Sequence, residues 1–450
     1  MERYFDAVVI GTGEAGQNAA YTLRAAGKSV AIIDFRPFGG TCALRGCDPS
    51  KAMIGAAQVW DWERRMNGQG ISVTEAHIDW PSLLRFKRTI TDPVPSATEK
   101  SLTAAGITTF HGRARFTGRN TLQVGDDALT AQHIVIASGA MPAKLTMPGA
   151  EHLVNSTQFM ELEHLPERIV FVGGGYISFE FAHLAARAGA KVEILQRDNR
   201  PLRGFDVDLV KQLLEVSRAR GIDVQLNCAV KAVEQRDGGF VVHAETPAGN
   251  KTFDADMVVH GAGRVPEIDD LDLDEAGVKR EKRGVTVDKY LQSVSNPYVY
   301  AAGDAAATGP QLTPVADMEG KLAAQNILDG NRHAADYQGI STVVFSIPAI
   351  AAVGWKEEDA RAQGLQFTVK QGDTSTWYSS RRVGVKHSGY KVLIEEGSDR
   401  LLGAHLMGPH VEEEINMFAA AIRVGLKASE VANLIYSYPT TTHDIVYYGI

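Results

Sequence analysis

The hydrophobic and polar positions repeat one long-range pattern twice. A run of apolar residues, Ala7-Val8-Val9-Ile10, meets the turn Gly11-Thr12-Gly13-Glu14-Ala15-Gly16. A helical stretch follows from Gln17 to Ala26, Gly27 stops it, and a second apolar run from Ser29 to Ile33 ends at Asp34. The second copy runs Arg168 to Val172, turns at Gly173-Gly174-Gly175-Tyr176-Ile177-Ser178, continues as a helix to Ala188, and passes Gly189 into Lys191 to Leu195. Apolar runs of four to eight residues bounded by glycine read as buried strands. Each copy therefore predicts a strand, a helix and a strand. Three more short strands close on small residues: Ile134-Val135-Ile136-Ala137-Ser138-Gly139, Met257-Val258-Val259-His260 running into Gly261-Ala262-Gly263-Arg264, and Val299-Tyr300-Ala301-Ala302-Gly303-Asp304. Such ends let a ligand or another chain approach closely. From about Gly339 the texture changes to alternating strands, Tyr390 to Ile394 and Leu401 to Leu406. Helices are expected over Glu412 to Gly425 and Ser429 to Leu434.

The two glycine turns have the spacing of dinucleotide-binding βαβ units. The first glycine permits the tight turn, the second admits a diphosphate, and the third position must be small so that helix and strand can pack. The phosphates then meet free N–H groups at the helix start. Two such turns in the right context imply two dinucleotides. In the first unit Gly11, Gly13 and Gly16 form the turn, and Asp34 stands where an acid accepts a ribose 2′-hydroxyl. In the second, Gly173, Gly175 and Ser178 form it. No carboxylate stands at the end of its second strand, and Arg197, Arg200 and Arg203 follow. Arginine there suits a 2′-phosphate, so NADPH is expected in preference to NADH.

Composition narrows the class of protein. The 450 residues carry 46 Lys+Arg against 54 Asp+Glu, a net charge of −8. That balance lacks the basic footprint that nucleic acid or an anionic membrane surface requires, and no apolar run reaches the roughly 18 to 20 residues of a membrane span. The N-terminus has no secretory leader, which makes the cytoplasm the expected location. Three cysteines with no such leader argue against a structural disulfide framework. Two of them fall in Gly39-Gly40-Thr41-Cys42-Ala43-Leu44-Arg45-Gly46-Cys47-Asp48-Pro49-Ser50-Lys51. Five residues of regular helix rise about 7.5 Å, whereas a disulfide joins Cα atoms roughly 4.4–6.8 Å apart. A Cys42–Cys47 bond thus requires an irregular turn, for which Gly46 and Pro49 provide. A strained, accessible disulfide is a reducible one. Two packed thiols are the structural alternative. Two clustered cysteines without a neighbouring histidine make no metal site. Cys228 reads as a buried inert thiol.

The run GGTCALRGCDPSK resembles the signature of the flavoprotein disulfide reductases, the family of glutathione reductase, dihydrolipoamide dehydrogenase and mercuric reductase. GTGEAG resembles their FAD motif, GGGYISFE their pyridine-nucleotide motif, and AAGDAA their second FAD motif, while LLGAHLMGPHVEEEINMFAAAI is similar to their dimerisation domain. The resemblance implies an α/β chain of two Rossmann-like domains, for FAD and NAD(P), with a C-terminal α+β dimerisation domain. The expected segments are 1–147 and 266–338 for FAD, 148–265 for NAD(P)H and 339–450 for dimerisation. It implies FAD contacts from Thr41, Lys51, Gly112, Gly139, Gly303 and Asp304, and nucleotide contacts from Tyr176, as a lid, and from Glu180, Arg197, Arg203 and Gly263. Electrons would pass from NADPH through the flavin to Cys47, the thiol beside the ring, and Cys42, the thiol that meets the acceptor. Lys51 paired with Glu180 would lie near the flavin. The product is a homodimeric NADPH oxidoreductase with shared sites and a small-molecule electron acceptor.

Two departures bear on the acceptor. Disulfide-reducing members end in His-Pro-Thr-x-x-Glu, supplied by the partner subunit. This chain reads Tyr438-Pro439-Thr440-Thr441-Thr442-His443. A phenol is a poor base near neutral pH and an imidazole a good one. His443 could act through Tyr438, Tyr438 could shield the site, or the acceptor could need no proton relay. Mercuric reductase also carries a tyrosine here, but its terminal cysteine pair is absent. A metal-ion or quinone reductase is the alternative reading, and a non-catalytic dinucleotide-binding sensor a third. Arg45 and Asp48 also replace small or apolar residues. Arg45 could lower a thiolate pKa, or the two charges could neutralise each other. The tyrosines 436, 438, 447 and 448 would line an acceptor site or pack an interface.

Overall fold

The seven-stranded sheet of the first unit shows why its sequence reads as nearly continuous apolar runs. In the computed structural model, which describes residues 2–74 and 76–450, residues 1–50, 86–143 and 264–337 form this unit. Its sheet runs in the order Thr108–His111, Val30–Asp34, Glu2–Ile10, Asp127–Ile136, Thr121–Val124 and Ala114–Gly118, with Val299–Ala301 also pairing on Asp127–Ile136. The strands Thr108–His111, Val30–Asp34, Glu2–Ile10 and Asp127–Ile136 are parallel and in register, Ala7 opposite Val30 and Val8 opposite Ile134, while Thr121–Val124 and Ala114–Gly118 add on antiparallel. Side chains of a strand alternate between faces. Val8, Ile10, Ala31 and Ile33 accordingly enter one apolar cluster, and Ala7, Val9, Val30 and Ile32 the other. A parallel strand buried on both faces has no polar side to show.

The helix Glu14–Ala25 buries Ala15, Ala19, Ala20 and Leu23 on one stripe. It lies tightly against the helix Thr313–Asp329, because a Cβ on Gly320 would overlap the Ala15 carbonyl. The helix Gly40–Arg45 ends at Gly46, whose φ of −137° and ψ of −115° are not helical, and a new helix, Cys47–Met66, starts at once. The irregular turn that the cysteine spacing demands is therefore a break between two helices. A Cβ on Gly46 would stand 2.8 Å from the Thr41 carbonyl oxygen, so the break closes back on the first helix.

Residues 51–85, 144–263 and 338–450 form the second unit. Its first sheet is parallel, in the order Ile222–Gln225, Lys191–Leu195, Arg168–Val172 and Met257–His260. The helix Tyr176–Arg187 follows the glycine turn, and a three-stranded antiparallel sheet covers residues 229–255. The C-terminal part is an antiparallel sheet in the order Ser341–Val344, Ala349–Gly354, Leu401–Gly408, Gly389–Glu395 and Phe367–Asp373. The helix Val411–Val424 covers one face with Val411, Ile415, Phe418 and Ala421. No helix among the described residues is long and apolar enough to cross a membrane.

Candidate functional site

In the first unit, the helix break brings Cys42 and Cys47 together. Both are thiols in this structure. The Thr313 hydroxyl donates to Cys42 Sγ over 3.1 Å and lies 3.4 Å from Cys47 Sγ, so one side chain touches both sulfurs. The hydrogen bond from Cys47 pushes the Cys42 thiol pKa far up. Burial adds to this, Thr313 opposes it, and Asp48 contributes a smaller upward push. Arg45 is not among the strongest influences on Cys42. The charged groups that act most on it are Arg36, Asp34, Glu267 and Arg264.

Around the first turn, Gly11 has φ +109°, and a Cβ there would overlap the Ala137 carbonyl. A Cβ on Gly13 would meet only Gly40 Cα, at 3.8 Å, which leaves the second glycine open to a ligand. The backbone N–H and the hydroxyl of Thr12 both donate to Asp34 Oδ2, over 2.9 and 2.7 Å, and Arg36 N–H donates to Asp34 Oδ1. Asp34 thus braces the turn as well as standing at the strand end. Gly112 N–H donates to the Asp34 carbonyl, and Gly139, with φ +76°, has open space where a Cβ would be. Asp304 follows Gly303 in a short 3-10 turn. Burial raises its carboxyl pKa, Arg264 pulls it down, and it has no hydrogen-bond partner among the described residues. Glu319, fully buried, accepts from Gly303 N–H at 2.6 Å, Thr308 Oγ1 at 2.7 Å and Tyr337 Oη at 2.7 Å. It holds the backbone that carries Asp304. An open glycine turn, a half-buried carboxyl left unpaired and the Thr41 helix beside them fit a flavin dinucleotide.

In the second unit, Lys51 Nζ donates to Glu180 Oε2 over 2.8 Å and lies 4.8 Å from the Phe345 ring centroid. Glu180 Oε1 accepts from Phe345 N–H at 3.0 Å. Glu180 is buried and both its oxygens are satisfied, as a buried carboxylate requires. Lys51 stands one turn beyond Cys47 on the helix Cys47–Met66. The second glycine turn is braced by Gln196, whose Oε1 accepts from Gly174 N–H at 2.8 Å. Gly173 has φ +101°, and Gly263, at +111°, has open space beside it. Tyr176, half exposed, opens the helix after the turn. Arg197 and Arg203 are exposed, and both turn to Asp198, at 3.5 and 2.8 Å from its Oδ2. Arg200 is committed to Glu358 and the Phe205 carbonyl. Cys228 is buried, and burial raises its thiol pKa.

The C-terminal tyrosines divide in two. Tyr448 is buried, stacked on Tyr390 at 3.8 Å, and donates to Glu414 Oε1 at 2.7 Å; burial has pushed that carboxyl up to about 8. Tyr436 donates to the Val431 carbonyl. Tyr438 and Tyr447 are exposed and flank the His443 ring at 4.9 and 5.6 Å. His443 Nδ1 is buried without a hydrogen-bond partner among the described residues. No three His, Cys, Asp or Glu among the described residues gather to hold a metal ion.

Residues 5–320 match the family model of pyridine nucleotide-disulphide oxidoreductases, and residues 340–447 that of their dimerisation domain. The chain belongs to the pyridine nucleotide-disulphide oxidoreductases. It is 30% identical over 441 residues to dihydrolipoyl dehydrogenase of Geobacillus stearothermophilus, covering 97% of this chain and 93% of that one. It is 31% identical over 448 residues to glutathione reductase of Burkholderia cepacia, covering 99% of each. The solved structure of the HOCl-induced flavoprotein disulfide reductase RclA of Escherichia coli, as its Cu(II) complex, superposes with a TM-score of 0.89 at 26% identity, over 99% of this chain and 98% of the other. The chain is thus a flavoprotein oxidoreductase of this family, which uses FAD and a pyridine nucleotide, with a C-terminal dimerisation domain. Sequence reading passed over two residues at this oxidoreductase's site, Thr313 and Glu319. The start of Thr313's helix at Leu312-Thr313-Pro314 marks a position without marking its contacts.

Proposed function

We propose that this protein is an NADPH-dependent reductase whose working sulfurs are Cys42 and Cys47, and that it acts as a homodimer on a small acceptor in the cytoplasm. The observation that carries the reading is the placing of both sulfurs against Thr313 by the break at Gly46. When bound, the flavin supplies hydride acceptance from the nicotinamide and electron delivery to sulfur. For a disulfide acceptor the balance is NADPH + H⁺ + RSSR → NADP⁺ + 2 RSH. Cys42 attacks one sulfur, the other leaves as thiolate and needs a proton, and Cys47 then displaces the first while closing the Cys42–Cys47 bond. Thr313 is placed to hold whichever sulfur is the thiolate. The Lys51–Glu180 pair fixes the position of the Lys51 cation, which favours negative charge beside it. His443, flanked by Tyr438, is the group able to provide the leaving-thiolate proton, across the dimer.

A second reading rests on Tyr438 standing where disulfide-reducing members carry His, and on the Cu(II) bound by the related RclA structure. A metal ion takes electrons without a leaving thiolate to protonate, one NADPH reducing two Cu(II) to two Cu(I).

The test begins with anaerobic addition of NADPH to the purified yellow protein. Bleaching of the flavin, with a long-wavelength thiolate-to-flavin absorbance that is absent in Cys47→Ser, is the expected result. A flavin that NADPH leaves unchanged would refute the reductase and favour a non-catalytic sensor. Turnover with oxidised thiols, quinones and Cu(II) then ranks acceptors. Loss of disulfide turnover in His443→Ala, with Cu(II) turnover intact, separates the two readings.

A further inference from the structure

We propose that Arg45, between the two redox cysteines in sequence, binds the diphosphate bridge of the flavin dinucleotide and so ties the redox helix to the cofactor. The proposal rests on the reading that the first unit holds FAD. The helix that carries Arg45 begins on the glycine turn itself: Gly39 N–H donates to Thr12 Oγ1 at 3.2 Å, and a Cβ on Gly40 would overlap Gly13 Cα. Arg45 is its last residue.

The side chain is half-buried, yet it makes no hydrogen bond, ion pair or ring contact with any described residue. Its charged neighbours are Arg36, Asp34, Glu267 and Arg264. Neither carboxylate makes a hydrogen bond or ion pair with it. Glu267 takes both ends of the Arg36 guanidinium, and Asp34 accepts from Thr12 and from Arg36 N–H. Arg264 donates to the Ala140 carbonyl. Burial and the Arg36 charge therefore work against the Arg45 cation, and its pKa is lowered. A guanidinium presents a planar fork of donors matched to phosphate oxygens. A half-buried one without an anion is costly unless an anion arrives. The anion at hand is the one that the adjoining turn is shaped to receive, through the free N–H groups at the start of Glu14–Ala25. The dithiol is not its partner: Arg45 makes no hydrogen bond or ion pair with Cys42 or Cys47, and the strongest influences on Cys42 are Cys47, burial and Thr313.

The test uses the full chain stripped of flavin and titrated with FAD, following the quenching of flavin fluorescence at several salt concentrations. Arg45→Ala is expected to weaken the FAD Kd about tenfold or more and to flatten its dependence on salt, because a charge–phosphate contact is screened. Arg45→Lys should recover part of the affinity and the salt slope. An unchanged Kd overturns the proposal, as does a weaker Kd with an unchanged salt slope, which would reveal a packing effect only. Should Arg45→Ala not fold, Arg45→Gln provides the same readout with a neutral side chain of similar reach. A wild-type chain that takes up no FAD would sink the FAD reading rather than the role of Arg45.

Discussion

The two glycine turns reach the same backbone geometry with different side chains. In each, a residue at or just after the end of the second strand accepts the N–H of the residue after the first glycine. Asp34 does so for Thr12 at 2.9 Å and Gln196 for Gly174 at 2.8 Å. Both pairs are 22 residues apart. The brace needs only an oxygen at that reach, so its charge is free to serve the ligand. A carboxylate suits a ribose hydroxyl; an amide does not repel a 2′-phosphate. The third turn position differs in the same instructive way. A Cβ on Gly16 would overlap the Gly11 carbonyl, whereas Ser178 carries a side chain because the neighbouring strand end supplies Gly261, where a Cβ would overlap Ser178 Oγ. The required gap has moved from the helix to its neighbour.

The sharpest way to break this comparison is to refill both gaps. Gly16→Ala should cost on the order of 3 kcal/mol, the upper end for overpacking, and leave the protein colourless. Ser178→Ala should cost less than about 1 kcal/mol. Gly261→Ala should cost less than Gly16→Ala, because its Cβ meets the rotatable Ser178 hydroxyl rather than a backbone carbonyl, and Ser178→Gly should relieve that damage in the double variant. Urea midpoints of these variants, with Ser178→Gly alone beside them, measure it. Additive costs in the double variant would show that Gly261 and Ser178 do not share one space.

What the sequence makes legible follows the range of the interactions. The βαβ units, their turns and the break at Gly46 are local, and glycine spacing and apolar runs encode them within some 30 residues. The brace by Gln196 was hidden because an amide carries no signature, although its distance from Gly174 equals that of Asp34 from Thr12. Thr313 touches the sulfur of Cys47 from 266 positions away, and Glu319 closes on Gly303, Thr308 and Tyr337 only after the chain has turned back. No local pattern reports such meetings. Arg45 was visible as an odd residue in the redox motif, but the direction it faces is a tertiary fact. Residues 51–85, read as part of the first segment, cluster with the second unit.

Exchanging the braces gives the next effect in size. Gln196→Glu keeps an acceptor for Gly174 N–H but introduces a carboxylate at the strand end. It should raise KM for NADPH about tenfold and leave KM for NADH within a factor of two, since only the 2′-phosphate meets the new charge. Steady-state kinetics with both nucleotides decide it. An equal rise for both would mean that the turn had been distorted and its selectivity left as it was. In the first unit Asp34→Ala orphans the Thr12 N–H, at a cost of about 1–3 kcal/mol.

The smallest effect tests how the second turn holds its arginines before a nucleotide arrives. Arg197 and Arg203 both lean on Asp198, and Gln196 Nε2 also reaches its Oδ2, at 3.3 Å. On the proposed NADPH reading, the 2′-phosphate would compete with that carboxylate for both guanidiniums, whereas in the first turn Asp34 has no arginine side chain to release. Exposed pairs of this kind are worth about 0.2–1 kcal/mol. Asp198→Asn should therefore lower KM for NADPH by no more than about fivefold, and the gain should shrink in high salt as the charges are screened. Arg203→Ala, made alone, should raise KM for NADPH and leave NADH nearly untouched. If Asp198→Asn weakens NADPH instead, the carboxylate is holding the arginines in their receiving geometry, and the pair is a preformed phosphate clamp rather than a competitor for it.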